Sequence, residues 1–265
     1  MKLTYIFHSG FVLETERTVI VFDYWLDPAG VLPELMSGNK HIYVLCSHFH
    51  RDHFNKQVLK WRWQWPYHRY TCILSKDIMQ HGRAEANEAD VWMETGDEWS
   101  DDNLRVRATG SNDYGVSWIV EVEGKAIFHA GDLNNWYARL LSEKGHRYQR
   151  GILGLGKEVD PEYEERRYLS KLEEIARVRS SFDVTMFPLD GRIGNGYTRG
   201  ARQFLERFQV GLFVPMHFVA SGYASAWRMK IFTDMHNVPF WKIDREGDWT
   251  EIPCPIGRRQ AESAS

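Results

Sequence analysis

Cysteine is scarce: Cys46, Cys72 and Cys254 are the three in 265 residues, at no spacing that a metal knuckle or a disulfide framework uses. A reducing, cytoplasmic setting is the expectation. Long apolar runs are missing as well, none approaching the roughly 18 residues of a membrane span. The opening MKLTYIFHSGFVLE is broken by His8 and Gly10 and lacks the apolar middle of a signal peptide. Nor is there a basic excess. The formal net charge of −3 argues against a nucleic-acid partner, and the basic runs RYQR, ERRY and RVR read as solvated helix faces. Linkers, low-complexity blocks and fixed-period repeats are absent too, apart from a tail at 257–265, GRRQAESAS, that reads as disordered.

What remains has the ordinary balance of a soluble globular protein, 43% hydrophobic and 26% charged residues, and is expected to form one domain over 1–265. Short β-patterned runs dominate the first half: LTYIF, FVLET, TVIVFDY, HIYVLCS, YTCILS, LRVRAT, VSWIVEVEG and KAIFHAGD. Helical patterns follow the first histidine cluster at DHFNKQVLKW and recur at PEYEERRYLSKLEEIARVRS, YTRGARQFLERF and SAWRMKIFTDMH, with strands DVTMFPL and VGLFVPM among them. Strands first, then alternating helix and strand, predicts an α/β architecture of two mixed sheets packed together with helices outside. The glycine-punctuated stretch GHRYQRGILGLGKEVD reads as a mobile surface segment.

The chemistry is concentrated in SHFHRDHF, residues 47–54, where His48, His50, Asp52 and His53 fall within six positions. His48 and His50, two apart after a strand, project to one side if the chain stays extended and can share an ion. Asp52 and His53 come where the chain changes direction, which lets them face a second ion. The spacing favours two metals over one, and the remaining ligands must come from elsewhere in the chain.

The HxHxDH pattern after a strand resembles the metallo-β-lactamase superfamily of hydrolases, and the resemblance covers nearly the whole chain. It implies a four-layer αβ/βα sandwich with the metal site at the sheet edges. It also matches Asp23, after TVIVF, to the acidic residue that braces the metal loop, Asp132 in FHAGD to the carboxylate that bridges two ions, and His217 in VPMHF to the last ligand of the second ion. His48, His50 and Asp132 would hold the first ion; Asp52, His53, Asp132 and His217 would hold the second. One departure stands out. Where the superfamily supplies a third histidine to the first ion, this sequence reads RATGSNDYGVSWIV, and Asp113 is its one good anionic ligand. HSGF, IFHAGD and the modest length look most like the L-ascorbate 6-phosphate lactonase-like branch, which makes homo-oligomeric assembly plausible.

His8 and His129 are candidates to support the ligands by hydrogen bonding, with a satisfied core histidine as the rival reading for His129. Asp190, Arg192, Tyr197 and Arg199 lie on a glycine-rich turn before a helix, a place to receive an anionic group of a small-molecule substrate. Trp61, Trp63 and Trp65, interleaved with Arg62, read as ordinary packing rather than a stacking platform. The expected activity is hydrolysis of an ester, lactone or phosphoester by a metal-activated hydroxide, with Asp52 orienting the hydroxide or taking its proton. Zinc suits the imidazoles, while the oxygen-rich first site leaves manganese open. The alternative is a degenerate metal-binding protein of the same fold without turnover.

Overall fold

A computed structural model describes residues 1–66, 68–142, 148–150 and 156–252. The expected tail at 257–265 lies outside the described residues. So does most of the stretch expected to be mobile, although within it Tyr148–Arg150 pairs antiparallel with Gly156–Glu158.

Ten strands are laid down first: β1 Lys2–Phe7, β2 Gly10–Glu14, β3 Thr18–Phe22, β4 His41–Cys46, β5 Tyr70–Ser75, β6 Val91–Met93, β7 Glu98–Ser100, β8 Leu104–Gly110, β9 Val116–Val122 and β10 Lys125–His129. Three later strands complete the two large sheets, β11 Val184–Pro188, β12 Phe213–Met216 and β13 Trp249–Glu251. They form two mixed sheets, ordered β13-β1-β2-β3-β4-β5-β6 and β12-β11-β10-β9-β8-β7. In the first, β3 through β6 run parallel; in the second, β10, β11 and β12 do.

The alternation in β3 and β4 shows why two sheets stack. Ile20, Phe22, Tyr43 and Leu45 point into the core shared with the second sheet, while Val19, Val21, Val44 and Cys46 point outward into a separate apolar layer with Phe54, Val58 and Trp61. A strand apolar on both faces needs a cover on each. The second sheet is covered by helix α1, Pro161–Val178, which buries Tyr168, Leu172 and Ile175, and by α2, Arg199–Arg207, which buries Ala201 and Phe204. Asp160 starts α1 by accepting from Glu162 N and Tyr163 N at 3.0 and 3.1 Å, with Pro161 at the first helical position. The four-layer sandwich expected from the sequence is therefore present. Among the described residues no helix is long and apolar enough to cross a membrane.

Two helical expectations change. The helix expected from Asp52 starts only after Asn55, whose side chain accepts from Gln57 N at 2.9 Å and caps a 3-10 turn over Lys56–Lys60. The residues before it fold back instead, with His53 N and Phe54 N both donating to His50 O, at 3.1 and 2.9 Å. The helix expected at 225–236 is divided into Tyr223–Trp227 and Lys230–Met235. Trp227 donates to Ile243 O at 3.0 Å and Met229 is fully buried, so the chain tightens between two anchors. β6, β7 and β13, three residues each, carry too little alternation to be predicted.

Candidate metal centre

Parallel strands deliver their C-terminal ends to one edge of a sheet, and here both sheets contribute. β3 leads to Asp23, β4 feeds residues 47–53, β10 leads to Asp132, β11 to Asp190 and β12 to His217, while the β1–β2 turn brings His8.

Asp23 organises the loop after β4. It is fully buried; its Oδ1 accepts from Ser47 N at 2.7 Å, and its Oδ2 accepts from Ser47 Oγ and His53 Nδ1, both at 2.6 Å. Because Ser47 Oγ gives its proton to Asp23, it accepts from His48 Nδ1 at 3.0 Å. On the other sheet, His217 Nδ1 donates to Asp190 Oδ2 at 3.0 Å, and Asp190 is itself gripped by Arg192 Nε at 3.0 and 2.8 Å. Three imidazoles thus have Nδ1–H committed to an oxygen. Their Nε2 lone pairs are left facing one another.

Asp132 sits between those lone pairs. Its Oδ2 is 3.3 Å from His48 Nε2, and its Oδ1 is 3.1 Å from His53 Nε2 and 3.4 Å from His217 Nε2. His50 Nδ1 stands 3.0 Å from His48 Nε2. Asp52 Oδ2 is 3.2 Å from His8 Nε2 and 4.0 Å from His217 Nε2. Two donor atoms sharing one tetrahedral ion at its usual bond lengths would be about 3.3 Å apart. His53 Nε2 and Asp132 Oδ1 are buried and make no hydrogen bond despite their proximity, so both want a partner that is neither of them. Among the described residues two groups of closely spaced donors result, His48–His53–Asp132 and His8–Asp52–His53–His217, each with its donor atoms within 4.8 Å of one another. The residues fit a divalent metal centre.

Residues 2–146 match the family model described as a Beta-lactamase superfamily domain. The chain belongs to the beta-lactamase superfamily. A "UPF0173 metal-dependent hydrolase" from Opitutus terrae is 27% identical over 154 residues, which is 50% of this chain and 63% of that protein. The alignment thus spans less than two thirds of that relative's length. One of the same description from Korarchaeum cryptofilum is 23% identical over 59% of this chain and 71% of its own. Among solved structures, Igni18, described as a novel metallo hydrolase from Ignicoccus hospitalis, superposes with a TM-score of 0.58 over 94% of this chain and 97% of its own, at 16% identity, a likeness of fold.

The superfamily match ends before Asp190 and His217, so what β11 and β12 bring to the centre is known from its geometry. Burial works against ionising Asp132, but His53, His217 and His48 outweigh it and hold the carboxyl well below its usual range. Burial alone would depress His53, yet Asp132 and Asp23 hold it well above the ordinary imidazole value. Asp190 is brought down to about 2, burial being outweighed by His217 and Arg192. Burial, then the neighbouring His48, pushes His50 down to about 4.

His48, His50, Asp52, His53, Asp132 and His217 therefore converge, with Asp23 behind them. Asp113 does not join either donor group: it is exposed, and its N–H donates to Ser111 Oγ at 3.1 Å. Its neighbour Asn112 is locked onto the Asp132 loop, giving Nδ2–H to Asn134 O at 2.9 Å and accepting from Asn134 N at 3.2 Å. His129 braces the core: Nε2 donates to Ser9 O at 2.9 Å, Nδ1 accepts from Gly131 N at 3.2 Å, and the ring stacks on Phe22. Tyr197 and Arg199 are not gathered at the centre. Tyr197 donates to Ser225 O at 2.5 Å and Arg199 Nε to Glu165 at 2.6 Å. Trp61 is buried against Tyr24 and Trp65, as packing would have it.

Sequence reasoning passed over Ser47, Gly115 and the pairing of Asp190 with His217. Gly115 has φ 61°, and a Cβ there would overlap the Ser47 carbonyl oxygen and come within 2.6 Å of His48 Cβ. The glycine was readable in NDYG, but its reason, the passage of the Asp113 loop over the histidine loop, was not.

Proposed function

We propose that the chain is a metal-dependent hydrolase holding two divalent ions, zinc suiting the imidazoles and manganese the oxygens, and acting on a small ester, lactone or phosphoester. His48, His50 and Asp132 take the first ion, with Asp113 reaching it from the rim; Asp52, His53, Asp132 and His217 take the second. The observation that carries this reading is Asp132, one oxygen near His48 and the other near His53 and His217, among imidazoles whose far nitrogens are already held. The UPF0173 relatives, named metal-dependent hydrolases, support it.

When bound, the ions would polarise a carbonyl or phosphoryl group and make an attacking water acidic enough to react near neutral pH. The chain's own residues do the rest. Asp52, partly exposed and kept ionised because His8 and His53 outweigh the penalty of burial, orients the attacking water and receives its proton. Asp23, Ser47 and Asp190 fix the imidazole tautomers. Arg192, exposed beside Asp190 and within the field of Asp52 and Asp132, offers its remaining N–H groups to an anionic substrate. His50, half-exposed between Phe49 and Tyr114, marks the side open to solvent.

The missing third histidine favours a second reading, a metal-binding protein without turnover, because Asn112 is locked away and Asp113 stands outside the donor groups. Metal content per chain and a screen of phosphodiesters, lactones and thioesters, with His53→Ala as the control, decide between them. Two ions and turnover lost in the control support the hydrolase. One ion and no turnover on any class favour the binding protein, and a chain that binds no divalent ion refutes both.

A further inference from the structure

Resting on the two-ion reading, we propose that His8 is itself a ligand of the second ion, alongside Asp52, His53, His217 and Asp132. His8 lies in the β1–β2 turn with φ 58°, a backbone conformation that side-chain-bearing residues rarely adopt. The chain holds it there from two sides. Its N–H donates to Tyr5 Oη at 2.9 Å, and its carbonyl accepts from the N–H of His217 at 3.0 Å, a residue that also has positive φ, 61°. One backbone hydrogen bond across the two sheets thus aims two imidazoles into the same space, ring centroids 4.1 Å apart.

The ring is 4% exposed, and neither of its nitrogens makes a hydrogen bond. Nε2 is 3.2 Å from Asp52 Oδ2 without being aligned as a donor to it. His53 Nε2 and Asp132 Oδ1, at 3.1 Å, have the same signature. Two ligand atoms that point at a common third position produce that pattern; a donor and its acceptor do not. His129 supplies the contrast within the same molecule, because as a buried histidine serving the core it satisfies both nitrogens. The donor atoms of His8, Asp52, His53 and His217 all lie within 4.8 Å of one another.

The consequence is an asymmetric centre. The second ion would have five protein donors and the first fewer, His48, His50 and Asp132 with Asp113 at the rim, so the exchangeable position for substrate falls on the first ion, beside half-exposed His50.

Cadmium-113 NMR of the nitrogen-15-labelled full chain tests this, because a one-bond coupling between cadmium and an imidazole nitrogen exists only through a coordination bond. The expected result is one cadmium resonance coupled to three imidazoles, with one coupling absent in His8→Gln. A competing zinc titration of that variant should show the second ion weakened at least tenfold. Wild type alone suffices if the variant does not fold: a second-ion cadmium resonance coupled to His53 and His217 alone, with no cadmium resonance coupled to His8, overturns the proposal and reduces His8 to a hydrogen-bond donor for Asp52, leaving the two-ion reading standing. A chain that takes up no cadmium or zinc overturns both.

Discussion

Asp23→Asn separates the frame of the centre from its ligands. The carboxylate accepts three hydrogen bonds in full burial, from Ser47 N, Ser47 Oγ and His53 Nδ1. An amide of the same size has one oxygen, and its NH2 must face one side. If the oxygen takes Ser47 Oγ and His53, the NH2 confronts the Ser47 N–H and leaves a buried donor without an acceptor, at about 1–3 kcal/mol. If the oxygen takes Ser47 N, the NH2 faces His53, which keeps that contact only by moving its proton to Nε2. That proton then points at Asp132 Oδ1 and blocks the lone pair needed for a metal. Either arrangement also removes the charge that strengthens three short bonds, so the metal-free protein should lose roughly 2–4 kcal/mol. Zinc affinity should fall about 10–100-fold. Urea unfolding of the metal-free chain and a zinc titration measure the two effects separately, and imidazole nitrogen shifts report the His53 tautomer. A variant within about 0.5 kcal/mol of wild type in stability, with unaltered zinc affinity, would refute the reasoning.

His53→Ala and His217→Ala should each remove the same ion and leave circular dichroism largely unchanged; metal analysis that finds different ions lost would separate residues grouped here. Asp113→Asn should lower occupancy of the first ion at equal free metal, while wild-type occupancy would mean that the Asp113 carboxylate does not complete that site. Burial and the nearby His217 bring His8 down to about 4, and burial and His48 bring His50 to about 4, so the fold favours their neutral forms. That contribution is complete above the ordinary value near 6.5 and is lost as pH falls through 4, whereas His53, raised, contributes fully throughout that window. Urea unfolding of the metal-free protein should therefore register a loss of roughly 3 kcal/mol from His8 between pH 7 and 4, and less from half-exposed His50; a flat profile would contradict it. Gly115→Ala, forced against Ser47 and His48 at positive φ, should cost about 3 kcal/mol or more, read from the melting temperature.

The strand sequences TVIVF and HIYVLC carry their own structural instruction, since β-branched and aromatic residues apolar on both alternating faces require cover on both. SHFHRDHF is legible for a related reason: its ligand types sit within six positions, and local spacing is what a sequence states directly. Asp132 and His217 were reachable because each follows a strand in an order that matches a known family.

The partners were not reachable in this way. That His217 leans on Asp190, that the His8 carbonyl accepts from the His217 N–H, and that Arg199 is tied to Glu165 all depend on which loops meet when two sheets stack. Asn112 and Asp113 are adjacent in sequence, yet one is clamped to the Asp132 loop and the other left at the rim. Periodicity fixes which face of an element is buried. Which polar atom finds which partner is decided through space, by segments well separated in the chain whose side chains must satisfy one another once water has been excluded.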